Sequence, residues 1–196
     1  MLVDKPILDA VQRNKSEAGD KWFDAVTHLG GAYGTDLTIV LLLGGLATKN
    51  KELRDTGIDS LESSLWAAGV VTPVLKQSFG RSRPFEDEGT HHFDPFSGHD
   101  SFPSGHSTNA WAIATAISAH SDGWVVPTIA YTLASNVSIA RLNSNVHFPS
   151  DVVAGALIGR AVAKSITTRH RALKNVTILP SRNGVMIGFD LALSSP

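Results

Sequence analysis

Three short clusters in this 196-residue chain hold residue types that suit one kind of chemistry. The first is Lys76, then six residues, then Arg83-Pro84. The second is Pro103-Ser104-Gly105-His106. The third is Arg141, five residues, His147, three residues, Asp151. Lys76, Arg83 and Arg141, if they converge, neutralise an oxyanion of two or three negative charges, and arginine adds bidentate forks. Ser104 and the Gly105 amide sit where a helix is expected to begin. Helix N-termini bind phosphate through free N–H groups, and glycine lets the backbone come close. His147 with Asp151 reads as an oriented nucleophile, the carboxylate holding one ring nitrogen protonated and leaving the other free to attack. His106 is then the acid for the leaving group.

Taken singly, each residue has a plainer reading. A lone lysine or arginine at a helix end most often serves the dipole, and an aspartate near a helix start is most often a cap. His28, His120 and His170 read as packed or surface residues. His91, His92 and His99 lie in a loop, and their spacing matches no strong metal motif, so no metal ligand and no cofactor are assigned. Arg81, two residues before Arg83, has two equal readings: an extension of the anion site, or a solvated loop charge.

The elements that must position these clusters follow from periodicity. Trp22, Phe23, Val26 and Leu29 have helical spacing after Asp20. Thr38 to Leu46 reads as a buried helix, entered by a turn that Gly30, Gly31 and Gly34 loosen. Asp59 and Glu62 resemble a capping box opening a helix to about Lys76, which Pro73 should kink. Residues 81–103 lack apolar periodicity and read as a long loop of functional character. Helices are expected from Ser104 to about Ala119, from Trp124 to Ile139, and from Pro149 to about Thr168. From Val176 two short strands flank a glycine turn. The expected fold is all-α: a compact bundle of about six helices with a small C-terminal β hairpin. Residues 1–196 form one domain, with a helical core over 20–170 and a tail over 171–196.

Composition sets the outer bounds. Seventeen basic and 18 acidic residues leave a net charge of −1, which argues against a basic nucleic-acid binder. Hydrophobic residues make up 42%, enough for a core, and the absence of cysteine excludes disulfides and thiol catalysis. Mean hydropathy is only +0.02. Uncharged stretches of 12 residues after Asp36 and 13 after Glu62 suit buried core helices better than membrane spans. The N-terminus has no apolar signal-peptide region. Solubility without detergent is therefore expected.

The three clusters, in this order and spacing, resemble the signature of the type 2 phosphatidic acid phosphatase superfamily. That superfamily takes in bacterial non-specific acid phosphatases, lipid phosphate phosphatases and vanadium haloperoxidases. The resemblance covers Lys76 to Asp151. It implies that His147 becomes phosphohistidine, that Asp151 supports it and that His106 is the general acid. Lys76, Arg83, Ser104, Gly105 and Arg141 would hold the phosphate, with no metal in the hydrolases. It implies a phosphatase of phosphomonoesters or pyrophosphates, with lipid phosphates the first expectation and a broad-specificity soluble acid phosphatase the second. A vanadium haloperoxidase is disfavoured, since those chains are usually much longer. Implied partners are a phosphorylated small-molecule or lipid substrate and a peripheral membrane contact, with no nucleic acid. The implied location is the periplasm or the outer face of the inner membrane. Two positions depart from the family pattern: Ala140 stands where serine is common, and Asp100-Ser101-Phe102 replaces the Gly-Ser-Tyr of the small-substrate branch.

Overall fold

The structure, a computed structural model, describes residues 3–174. The hairpin expected beyond Val176 lies outside them. Among the described residues there are seven helices. Helix α1 is Asp4–Arg13, α2 is Glu17–Thr27, and α3 is Ala32–Thr48, reached through a 3₁₀ turn at His28–Gly30. Helix α4 begins as Lys51–Ser64 and runs on through a π-helical stretch, Leu65–Val71, into Thr72–Phe79. Helix α5 is Gly105–Ala119, α6 is Val125–Asn143 and α7 is Pro149–Lys174. The all-α expectation holds. The seventh helix is α1, ten residues that the periodicity reading leaves out.

Local chemistry explains the boundaries. Ser16 caps α2 by accepting from the Gly19 amide, and Asn50 caps α4 by accepting from the Leu53 amide. The capping box read at Asp59 and Glu62 is therefore wrong: α4 starts eight residues earlier, at Lys51. Pro73 does not break α4. Proline lacks an N–H and crowds the carbonyl four residues back. The π-helical turns before it absorb that conflict, and the Thr72 amide and hydroxyl both donate to the Ala67 carbonyl.

Helix α5 is central, packed against α7, α6 and α4. Small residues make this packing close. A Cβ on Gly159 of α7 would lie 2.2 Å from the Thr108 carbonyl oxygen of α5, and one on Gly155 would lie 2.6 Å from that of Ser104. Ala67, Ala112 and Ala163 form one fully buried cluster, and Ala110, Ala114, Ala134, Val137 and Ala140 lead another. The parallel α5 and α7 bring their N-termini to one end of the bundle, beside the C-terminal end of α4. At the opposite end buried Asp59 of α4 accepts from His120 at the end of α5 and His170 near the end of α7, at 2.8 and 2.5 Å. His120 and His170 are thus packed residues with a job, tying three helices together.

The expectation of a buried helix at Thr38 to Leu46 fails. Val40, Leu43 and Leu46 of α3 are each more than half exposed, as are Leu65 and Val74 of α4 and Val153 and Leu157 of α7. An uncharged apolar run shows only that a helix avoids water. It does not say whether protein covers it. No single described helix is long and apolar enough to cross a membrane, although α2 with its 3₁₀ turn and α3 pass that test together as a pair bent by 52°.

Candidate active site

The three clusters meet where α4 ends and α5 and α7 begin. Ser104 is the N-cap of α5, fully buried, and its amide donates to the Asp151 carbonyl at 3.0 Å. Gly105 is the first residue of α5. A Cβ there would lie 3.7 Å from Thr72 and 4.0 Å from Cε of Lys76, so the lysine stem runs past the helix start. Arg83 heads the loop after α4, and Arg141 comes from the last turn of α6. Arg141 donates to the Thr27 hydroxyl at 3.0 Å, and its charge is felt at His106.

One carboxylate already faces two of these cations. Asp100 accepts from Arg83 through two bonds of 2.7 and 3.0 Å, and Lys76 donates to its backbone carbonyl. Burial alone would raise the Asp100 carboxyl, but Arg83 and Lys76 hold it down at about 2. Burial lowers the Lys76 ammonium, with the neighbouring Arg83 charge acting in the same direction and Asp100 against it. Sequence reasoning missed Asp100, because an acidic residue is the wrong sign for an anion site.

His147 is 2% exposed. Its Nδ1 lies 3.6 Å from Asp151 Oδ2 and 3.5 Å from the Ser101 hydroxyl. Burial pushes the imidazole below its ordinary value although Asp151 pulls it up, which favours the neutral ring. Asp151 is ionised despite burial, held by His147, Arg81 and Ser101. The Ser101 hydroxyl donates to it at 2.6 Å and the Phe148 amide at 2.8 Å. His106, on the first turn of α5, sits where α3 is entered. A Cβ on Gly30 would lie 2.7 Å from the His106 carbonyl oxygen and 2.9 Å from its Cβ, so glycine there lets this turn lie against the start of α5, and one on Gly31 would be in ordinary contact with the ring, 3.4 Å from Nε2. Burial, and then the charges of Arg141, His147, Lys76 and Arg83, push His106 down to about 4.

Arg81 answers to neither of its two readings. It is fully buried behind the site. It donates to Asp151 at 2.5 Å and to Ser150 at 2.7 Å, and on its other side to Asp4 of α1 at 2.8 Å. The Phe148 ring lies 4.3 Å from its guanidinium carbon. Asp4 in turn accepts from the Ser150 amide and hydroxyl at 2.8 and 2.7 Å. No local pattern announces Asp4, which is 77 positions from Arg81 and 146 from Ser150.

The arrangement is a cationic cradle at a helix N-terminus beside a buried, oriented imidazole. The profile of the PAP2 superfamily matches residues 60–174, more than half of the chain. The chain belongs to the PAP2 superfamily. Lipid A 1-phosphatases of Rhizobium etli and Rhizobium johnstonii are each 39% identical to it over 97 residues, 47% of this chain. The match spans only 41% and 39% of those two proteins' own length. Among solved structures, Aquifex aeolicus LpxE superposes with a TM-score of 0.63 at 23% identity, covering 85% of this chain and 95% of that one. A transmembrane PAP2 type phosphatidylglycerolphosphate phosphatase from Bacillus subtilis gives 0.69 at 25% identity, covering 86% of this chain and 85% of that one. The PAP2 match contains all eight residues singled out from the three clusters, whereas Asp4 lies before it.

Two outcomes follow for this PAP2 site. Arg81→Met strands two buried carboxylates and is expected to cost about 3–5 kcal/mol, read from thermal or urea unfolding of the purified protein. The second outcome concerns His106. With its pKa near 4, it is neutral at pH 5.5; a dianion among Lys76, Arg83 and Arg141 offsets their charge and raises that pKa. Sulfate binding is therefore expected to take up a proton between about pH 4 and 6.5, and His106→Gln to remove most of that uptake. Calorimetry in buffers of different ionisation enthalpy measures it; proton release on binding would contradict the assignment.

Proposed function

We propose that this PAP2 protein is a lipid phosphate phosphatase acting through a phosphohistidine, with no metal in the chemical step. The observation that carries the reading is the placement of buried His147, its Nδ1 3.6 Å from Asp151, beside the cradle of Lys76, Arg83, Arg141 and the start of α5. The cations supply the positive charge that a divalent ion supplies elsewhere. The substrate phosphate displaces Asp100 from Arg83 and Lys76. Nε2 of His147 attacks phosphorus as the ester oxygen leaves with a proton from His106. His106 then takes a proton from water, which attacks the phosphohistidine and frees His147 and phosphate. The dianion that brings the substrate in also raises the His106 pKa, so the acid is charged when it is needed.

A lipid substrate is supported by an apolar cleft between α3, α5 and α6. Leu29, Leu37, Ile113, Leu133 and Val137 line it, and it starts next to Gly30, on which His106 rests. The exposed apolar residues of α3, α4 and α7 support contact with a membrane, in place of the expected solubility. The similarity to lipid A 1-phosphatases supports a phosphorylated membrane lipid as substrate. Action in the periplasm or at the outer face of the inner membrane is the location that the family resemblance supports.

Two measurements check this. With p-nitrophenyl phosphate, in EDTA, His106→Ala should give a burst of nitrophenol and a trappable acid-labile phosphoenzyme, then turnover slowed about 10²–10⁴-fold. His147→Ala should give neither burst nor adduct, and an adduct on His147→Ala would overturn the mechanism. In a phosphate-release panel run in mixed micelles, phosphatidate, phosphatidylglycerophosphate or lipid A should exceed glycerol phosphate and nucleotides in kcat/KM. Equal values for lipids and nucleotides would favour the broad-specificity reading.

A further inference from the structure

The loop between Arg83 and Asp100 holds a second cluster that phosphoryl transfer does not use. Ligand atoms of Glu88, His92 and His99 lie within 4.8 Å of one another. His92 Nδ1 is 2.7 Å from Glu88 Oε2, and His99 Nε2 is 3.6 Å from the same oxygen. The short contact is not a hydrogen bond. His92 Nδ1 is shielded from solvent and has no hydrogen-bond partner, so its direction is wrong for donation to Glu88. Two donors that crowd together without bonding to each other suit a common third centre. The two imidazoles stand edge to face, 5.4 Å apart at 78°, so neither ring blocks the other's nitrogen.

A second carboxylate fixes the orientation. Glu86 Oε2 lies 3.2 Å from His99 Nδ1 and leaves Nε2 facing the cluster. That is the outer carboxylate which orients metal-bound histidines generally. The same Glu86 oxygen accepts from the Arg83 amide at 2.6 Å, so the orienting group is itself held. The backbone is fixed from both sides as well. The Ser82 amide donates to the His92 carbonyl at 3.3 Å, and the Ser101 amide to the Arg81 carbonyl at 2.9 Å. His91, in contrast, turns away to the Thr90 hydroxyl at 2.7 Å.

We propose that Glu88, His92 and His99 bind a zinc-class divalent cation that clamps the loop between Arg83 and Asp100. Two nitrogens and one carboxylate suit zinc or its neighbours; calcium and magnesium prefer oxygen sets. The clamp joins the two residues that face each other across the anion site, because Glu86 rests on Arg83 and His99 precedes Asp100. The cation takes no part in bond breaking. The proposal is independent of the phosphatase reading, and its test reads binding, not turnover.

The probe is cobalt(II), titrated into the full chain after EDTA treatment and dialysis. The expected result is a saturable visible d–d band at one equivalent, abolished by zinc. Glu88→Gln, at a surface position where folding is not at stake, should weaken it at least about 10-fold, and Glu86→Gln about 10–100-fold. The double variant H92A/H99A should lose it. His91→Ala and the catalytically dead His147→Ala should keep it. Zinc should also slow amide hydrogen exchange over residues 88–99 in the wild-type chain. Absence of the band, a band unchanged in Glu88→Gln and H92A/H99A, or exchange over 88–99 unaffected by zinc would overturn the proposal.

Discussion

The buried carboxylate of Asp151 is the constraint on which the rest of the site depends. A charge at that depth is tolerated only if it is paired and fully hydrogen-bonded. Here the pairing is with Arg81, and the bonding is with Ser101 and the Phe148 amide. Each partner belongs to a different stretch of chain, so satisfying one carboxylate fixes the loop after α4, the segment before α5 and the start of α7 together. Arg81 is then the buried cation that needs a second anion, and Asp4 of α1 supplies it. The proposed nucleophile is the last member of this chain of obligations. His147 is oriented by a carboxylate that cannot move without taking from buried Arg81 one of its two anions.

The opposite problem holds on the ligand side. Lys76, Arg83, Arg141 and the start of α5 all present positive charge to one small volume. Burial first, and then the neighbouring positive charges, depress His106 and Lys76. Asp100 offsets part of that charge by occupying Arg83 and Lys76 as a substitute anion. Substrate binding is on this view an exchange of one anion for another. Asp100 is nearly half exposed, so it can turn to water when displaced, whereas Asp151 cannot. One fold thus holds two aspartates in different roles, set by burial and by their cations: Arg81 for Asp151, Arg83 and Lys76 for Asp100.

How much of this the sequence shows depends on whether the interaction is local. The cradle residues were legible because helix starts, glycine and clustered cations are neighbours in the chain, and the histidine–aspartate pair falls one helical turn apart. Asp4 was not legible, because nothing near it in sequence explains a buried aspartate. Arg81 was visible as a charge but not as a buried one, since its partners lie up to 77 positions away. Asp59 looked like a cap because capping residues and buried ion-pair residues are the same types. His92 and His99 matched no spacing rule because Glu88 and a loop fold, not a helix, bring them together.

The helices explain why hydropathy misled. In a water-soluble bundle large aliphatic residues face inward. Here much of the interior is built from alanine, glycine, serine and threonine: Ser60, Ser63, Thr72 and Thr108 are at most 2% exposed, while Val40, Leu43, Val74 and Leu157 face outward. Small interior residues let the helices approach until the Gly159 site of α7 touches the α5 backbone. Averaged along the chain, such an inverted arrangement has the same composition as an ordinary one, which is why mean hydropathy near zero could not tell them apart. The inversion also fits the chemistry proposed. Close helix packing through small residues holds the cradle rigidly at one end, and the large side chains turned outward are free to meet the acyl chains of a substrate that does not leave its membrane.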